Sequence, residues 1–183
     1  MPLKLVIANK AYSSWSLRPW ILLAHFKIPF EEIVIPLDQP DTRKKILKYA
    51  ANGKCPSLHD GEIAIWESIA IVEYVAEKYP DKAIWPKTRA ARALARSLSA
   101  EMHAGFSALR NHCPTNFRRP VRKRELTPDV EADVTRIEAA WAGESVIKFD
   151  DAIRRHPHSG LPKSPSGRTA STIATSTNVK MIE

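Results

Sequence analysis

Hydrophobic and polar positions follow two periods over the first eighty residues. Residues 3–9, Leu-Lys-Leu-Val-Ile-Ala-Asn, form a short β-branched-rich run ending in a polar residue, the pattern of a buried strand. A helix follows through Trp20, Leu23 and Ala24 to about Lys27, closed by Ile28-Pro29. Pro19 cannot donate to a carbonyl four residues back and so belongs in a first turn. This places the N-cap near Ser16 and leaves Ser13 and Ser14 in the preceding loop. Residues 32–37 read as a second strand with Pro36 at its exit, and residues 42–51 as a basic amphipathic helix stopped by Asn52-Gly53. Residues 57–59 and 63–66 are short strands around Asp60-Gly61, a dipeptide favoured in tight hairpins. Glu67-Ser68 then opens a helix with Ile69, Val72, Val75, Ala76 and Tyr79 on its apolar stripe, ended by Pro80. The order βαβαββα contains a hairpin, which cannot supply the third parallel strand of a doubly wound sheet. It predicts an α/β domain with a small mixed sheet and helices on both faces.

After a linker at residues 80–88 the strand signal disappears. Residues 89–110, rich in Ala, Leu, Arg, Ser and Met, read as one long helix ending before Pro114. Thr127-Pro128-Asp129 starts another, with a capping hydroxyl, a first-turn proline and an early acid, and it reaches Trp141. From Gly143 the character changes again: residues 156–178 carry three prolines and a Ser/Thr-rich stretch, 164–177, with almost no large apolar side chain, and the tail is expected to be mostly disordered. The predicted organisation is a domain over 1–80, a partial helical domain over 86–142 and an atypical tail over 143–183.

Composition and charge refine this picture. With 183 residues, 44% hydrophobic and 26% charged, the chain can bury a core, and no apolar run approaches the ~20 residues of a membrane span. The first ten residues lack a long hydrophobic leader and a cleavage site, so a cytoplasmic protein is expected. Of the net charge of +8, little lies in residues 1–80, with 10 Lys/Arg against 9 Asp/Glu. Residues 81–142 hold 12 against 7, an excess that lies largely in one segment, Arg118, Arg119, Arg122, Lys123 and Arg124, which reads as a solvated loop rather than a nucleic-acid contact. Cys55 and Cys113 are too few for a disulfide framework, and the six histidines form no metal set at ligand spacing.

Three motifs, in order, resemble the glutathione transferase family, with a thioredoxin-like N-terminal domain followed by a helical one. Tyr12-Ser13-Ser14-Trp15-Ser16-Leu17-Arg18 is similar to the serine-bearing loop of the zeta class (maleylacetoacetate isomerase), with Trp15 where that pattern has cysteine and Leu17 where it has tryptophan. Gly53-Lys54-Cys55-Pro56-Ser57-Leu58 is similar to the family's Val-Pro-x-Leu element, whose proline is cis. Glu67-Ser68-Ile69-Ala70-Ile71, with Tyr74, is similar to the segment that holds the γ-glutamyl end of glutathione. The resemblance implies glutathione as co-substrate, a small electrophile as partner and a homodimer.

It further implies roles. The unfilled N–H groups opening the Ser68 helix, and the Ser68 hydroxyl, suit the γ-glutamyl carboxylate, while Glu67 pairs with the ammonium. The backbone at Cys55-Pro56 pairs with the cysteinyl unit, and Lys54 is either a ligand contact or solvated. Ser13, with Ser14 as alternate, donates to the sulfur and lowers the thiol pKa, since the thiolate is the nucleophile. The alternative for both serines is simple capping or turn formation. Met102 and Phe106, one turn apart on the 89–110 helix, are candidates for a hydrophobic co-substrate wall, with core packing the alternative. The resemblance fades after Trp141, where the family continues with further helices. A truncation or shifted reading frame is the expectation there, and with it the alternative of a catalytically inactive glutathione-binding or interaction protein.

Overall fold

The computed structural model describes residues 2–142 of the chain. It runs β1 (Leu3–Ile7), α1 (Ser14–His25), β2 (Phe30–Val34), α2 (Thr42–Ile46), β3 (Ser57–Asp60), β4 (Ile63–Trp66), α3 (Ser68–Lys78), α4 (Arg89–Ala104), α5 (Ser107–His112) and α6 (Pro128–Trp141). The strands form one mixed sheet in the order β2-β1-β3-β4. β1 pairs parallel with β2, Leu3 opposite Phe30 and Ile7 opposite Val34, as a helical crossover requires. It pairs antiparallel with β3, which pairs antiparallel with β4 across the hairpin. The hairpin loop is Gly61-Glu62, and Gly61 supplies the positive φ of 58° that its first position needs.

β1 is covered on both faces. Leu3, Leu5 and Ile7 pack with Leu23 of α1, Leu58 of β3, and Ile71 and Val75 of α3. Val6 points the other way and packs with Ile35, Ile46 and Ala50. Alternation along one strand thus feeds two cores, and each fully buried aliphatic side chain contributes roughly 1.5–3 kcal/mol.

Four boundaries depart from the sequence reading. α1 begins at Ser14 with Ser13, not Ser16, at its N-cap, because the Ser13 hydroxyl accepts the Ser16 N–H. Pro19 therefore lies in the second turn, where it cannot donate to the Trp15 carbonyl. β2 is shifted two to three residues earlier than 32–37, because its pairing with β1 begins directly after Pro29, and the Ile35 N–H gives the last bond to Ile7. α2 stops at Ile46 and continues as turns through Ala50 to Gly53, whose φ is 67°. The helix expected over 89–110 is broken at Gly105-Phe106. Phe106 is left-handed, with φ 63° and ψ 38°. Two side chains compensate for the break: Arg110 Nε donates to the Gly105 carbonyl at 3.0 Å, and Asp133 of α6 accepts the Leu109 N–H at 2.9 Å. A remote carboxylate thus caps α5, as the dipole and open N–H groups of a helix start favour. Thr127 occupies the N-cap position of α6 in extended conformation, but its hydroxyl makes no capping bond.

The described residues form two compact units, one comprising residues 2–103 and 115–118, the other residues 104–114 and 119–142. Within the second, Val130 and Val134 of α6 pack with Ala108, Leu109 and Leu126. The tail expected over 143–183 lies outside the described residues.

Candidate functional site

The first unit carries an open cleft of about 320 Å³, lined by Trp15, Asn52, Lys54, Cys55, Pro56, Glu67 and His103. Three local structures build it. At the first, the Cys55-Pro56 peptide is cis and leads directly into β3. It is approached through a turn in which Asn52 Oδ1 accepts the Lys54 N–H at 3.0 Å. Burial pushes the Cys55 thiol up to about 11, so it stays protonated near neutral pH and is a poor nucleophile.

At the second, β4 runs into α3 through Glu67, whose φ of 69° and ψ of 127° are a conformation that a β-carbon disfavours. Strain of this kind concentrates where a side chain must be aimed. The Glu67 carbonyl accepts the Ile71 N–H at 3.0 Å, while its side chain makes no capping bond and remains about half exposed. Ser68, the first residue of α3, is buried.

The third is the start of α1. Ser13 Oγ donates to Ser16 Oγ at 3.0 Å and accepts the Ser16 N–H at 3.3 Å. Ser16, fully buried, in turn accepts the Ala8 N–H at 3.0 Å, tying the helix to the end of β1. The Ser13 hydroxyl is therefore engaged in capping. Trp15 reaches the cleft, with the Arg18 guanidinium 4.3 Å from its ring centre.

The structure brings Lys54, Cys55, Pro56 and Glu67 together as cleft-lining residues. Ser13, Ser14 and Ser68 stand at the two helix starts and are not among the lining residues. The break at Gly105 removes the one-turn spacing of Met102 and Phe106: Met102 lies near the end of α4, and Phe106 is the N-cap of α5. Sequence reasoning missed three lining residues. From the sequence, Trp15 stands out only as the residue found where the resembled pattern has cysteine, and Asn52 only as a helix stop. His103 carries no local signal, since α4 brings it to the cleft. Its Nε2 lies 3.6 Å from Glu67 Oε2, and its ring packs edge-on to Trp15 at 5.1 Å. Among the described residues no group of three or more His, Cys, Asp or Glu is placed to hold a metal, and no helix is long and apolar enough to cross a membrane.

A mixed β2-β1-β3-β4 sheet with a cis Xaa-Pro at the start of β3 and helices α1 and α3 packed on one face is the arrangement of a thioredoxin-like domain. Residues 12–78 match the family described as glutathione S-transferase, N-terminal domain. Residues 12–78 thus carry a glutathione S-transferase N-terminal domain. The chain is 34% identical over 100 residues to a probable maleylacetoacetate isomerase of Caenorhabditis elegans, covering 54% of this chain and 46% of that one. It is 40% identical over 60 residues to a dichloromethane dehalogenase of Methylorubrum extorquens, covering 32% and 21%. The chain thus spans less than half the length of these relatives. Among solved structures it is similar in fold to a Burkholderia glutathione transferase homolog with bound glutathione, at TM-score 0.58 and 21% identity, covering 82% of this chain and 69% of that one. A diazinon-metabolizing glutathione S-transferase of the silkworm, Bombyx mori, gives TM-score 0.61 at 21% identity, covering 79% and 69%.

Proposed function

We propose that the cleft binds glutathione and that the chain activates the glutathione thiol for conjugation to, or isomerisation of, a small electrophile. The observation that carries this reading is the convergence of Glu67, at the head of α3, with Lys54 and the Cys55-Pro56 peptide on one cleft. Glutathione has complementary chemistry. Its γ-glutamyl carboxylate fits the open N–H groups of the eleven-residue α3, and its ammonium fits Glu67. Its cysteinyl backbone has peptide groups at Cys55-Pro56 to pair with, and Lys54 offers a cation to a carboxylate. The sulfur then lies toward the start of α1, where the helix dipole and the Ser13 or Ser14 hydroxyl favour the thiolate. A cytoplasmic homodimer is part of the same proposal.

A second reading, a glutathione-binding protein without turnover, is favoured by one observation: the Ser13 hydroxyl already donates to Ser16. The two readings separate on one pair of variants. In an active enzyme, retention on immobilised glutathione accompanies conjugation of a model electrophile; Ser13→Ala or Ser14→Ala lowers turnover while binding persists. In the binding protein, retention occurs without turnover, and Ser13→Ala costs only the cap, about 1 kcal/mol of stability. No retention at all contradicts both.

A further inference from the structure

His103 is the one cleft-lining side chain presented by α4, and its surroundings are unusual. Its Nδ1 is buried with no hydrogen-bond partner among the described residues. Its Nε2 faces the Glu67 carboxylate at 3.6 Å, just beyond a formed hydrogen bond. The ring is held against the Trp15 indole, 5.1 Å between centres with the planes at 72°. Glu67 itself is held in a left-handed backbone conformation and lacks any capping bond of its own. A buried N–H without an acceptor is costlier than a buried lone pair without a donor, so this environment favours the tautomer with its proton on Nε2, directed at Glu67.

We propose that His103 is a positioning residue for ammonium recognition: its Nε2–H donates to one Glu67 oxygen, holds the carboxylate over the cleft, and leaves the other oxygen to accept the α-ammonium of a γ-glutamyl ligand. The proposal rests on the glutathione reading and sharpens it, because it ties a residue of α4 to selectivity for one end of the peptide. Trp15 fixes the ring plane, and the strained Glu67 backbone fixes the carboxylate, so neither partner must be ordered again when ligand arrives.

The test compares glutathione with its deamino analogue, in which the γ-glutamyl ammonium is replaced by hydrogen, by calorimetric titration of the full chain. Wild type binds glutathione at least tenfold more tightly than the analogue, on the scale of one charge-assisted hydrogen bond. His103→Leu, which keeps an apolar side chain against Trp15 but cannot donate, weakens glutathione about tenfold and leaves the analogue unchanged. His103→Gln, whose amide can donate to Glu67, retains most of the affinity. Equal losses in Leu and Gln variants, or an equal loss for both ligands, make His103 a packing residue and overturn the proposal. Equal binding of the two ligands by wild type overturns it without any variant, which covers the case in which His103→Leu does not fold. Failure of wild type to bind either ligand is a different result: it overturns the glutathione reading itself.

Discussion

The first unit packs eight buried apolar side chains, from Leu3 to Val75, into one cluster against the sheet, whereas the apolar cluster between α5 and α6 has two, Val130 and Val134. The difference follows from topology. A central strand meets side chains from both neighbours and from helices on each face, so residues as distant in sequence as Leu5, Leu58 and Ile71 share one core. A short helix pair buries only one stripe of each helix, and polar contacts carry more of its definition: Asp133 caps α5, and His112 Nε2 lies 2.9 Å from the Glu125 carbonyl. α4 stands between these cases. It contributes His103 to the cleft yet buries no residue, and Arg96 ties it to Glu73 through two hydrogen bonds of 3.0 and 2.9 Å. Both partners of that pair are about half exposed, so it is worth no more than about 1 kcal/mol. The cleft therefore joins walls from the well-packed sheet and α3 to a wall from α4, a helix with no buried side chain.

Substitutions can break the contrast between the cores. Leu58→Ala, at a fully buried position shared by β3, α1 and α3, is expected to destabilise the first unit by about 3–5 kcal/mol in denaturant unfolding. Val134→Ala in α6 is expected to cost about 1–2 kcal/mol, since fewer neighbours line the space it leaves. Equal costs would mean that the second unit has a core as complete as the first.

A smaller effect concerns the seam between hairpin and α3. Asp60 accepts from Lys78 at 2.5 Å and from Tyr74 at 2.6 Å, and these bonds hold its carboxyl below the ordinary 3.8. A depressed folded-state pKa contributes stability that is present above the unfolded value and lost as pH falls through the folded one. Stability should therefore decline below about pH 4, and Asp60→Asn should flatten that limb. The opposite sign applies to the raised Lys78 and Tyr74, whose contributions fade as pH rises through their folded values. The last contrast alters reactivity alone. Burial raises both thiols, Cys55 to about 11, while Arg124 and Arg119 pull Cys113 back down. Mapping of iodoacetamide adducts at pH 8 should find Cys113 modified faster than Cys55; the reverse order would contradict the burial of Cys55 in the cleft wall.

Much of this arrangement was legible in the residues. The βαβαββα order, the hairpin, the Cys55-Pro56 element and the Glu67-Ser68 helix start are written in local signals: β-branched runs, turn dipeptides and helix breakers. What was not legible depended on partners distant in sequence. Ser13 became the cap of α1 because Ser16 is needed to hold Ala8, an arrangement that the position of Pro19 alone does not reveal. Gly105 broke a helix that composition favoured because Asp133, 24 residues away from Leu109, was available to cap the next one. His103 and Asn52 joined the cleft only through the packing of whole elements, and no spacing rule would have singled them out.

The central claim, that the cleft of the first unit is a glutathione site, is tested most directly by thermal unfolding of the full chain with and without glutathione. Ligand at about a hundred times its Kd stabilises the folded state by about 2.7 kcal/mol. A cooperative transition whose midpoint rises by several degrees with glutathione, and by less in a Glu67→Ala variant, is the predicted result. A cooperative transition that glutathione leaves in place would contradict the account.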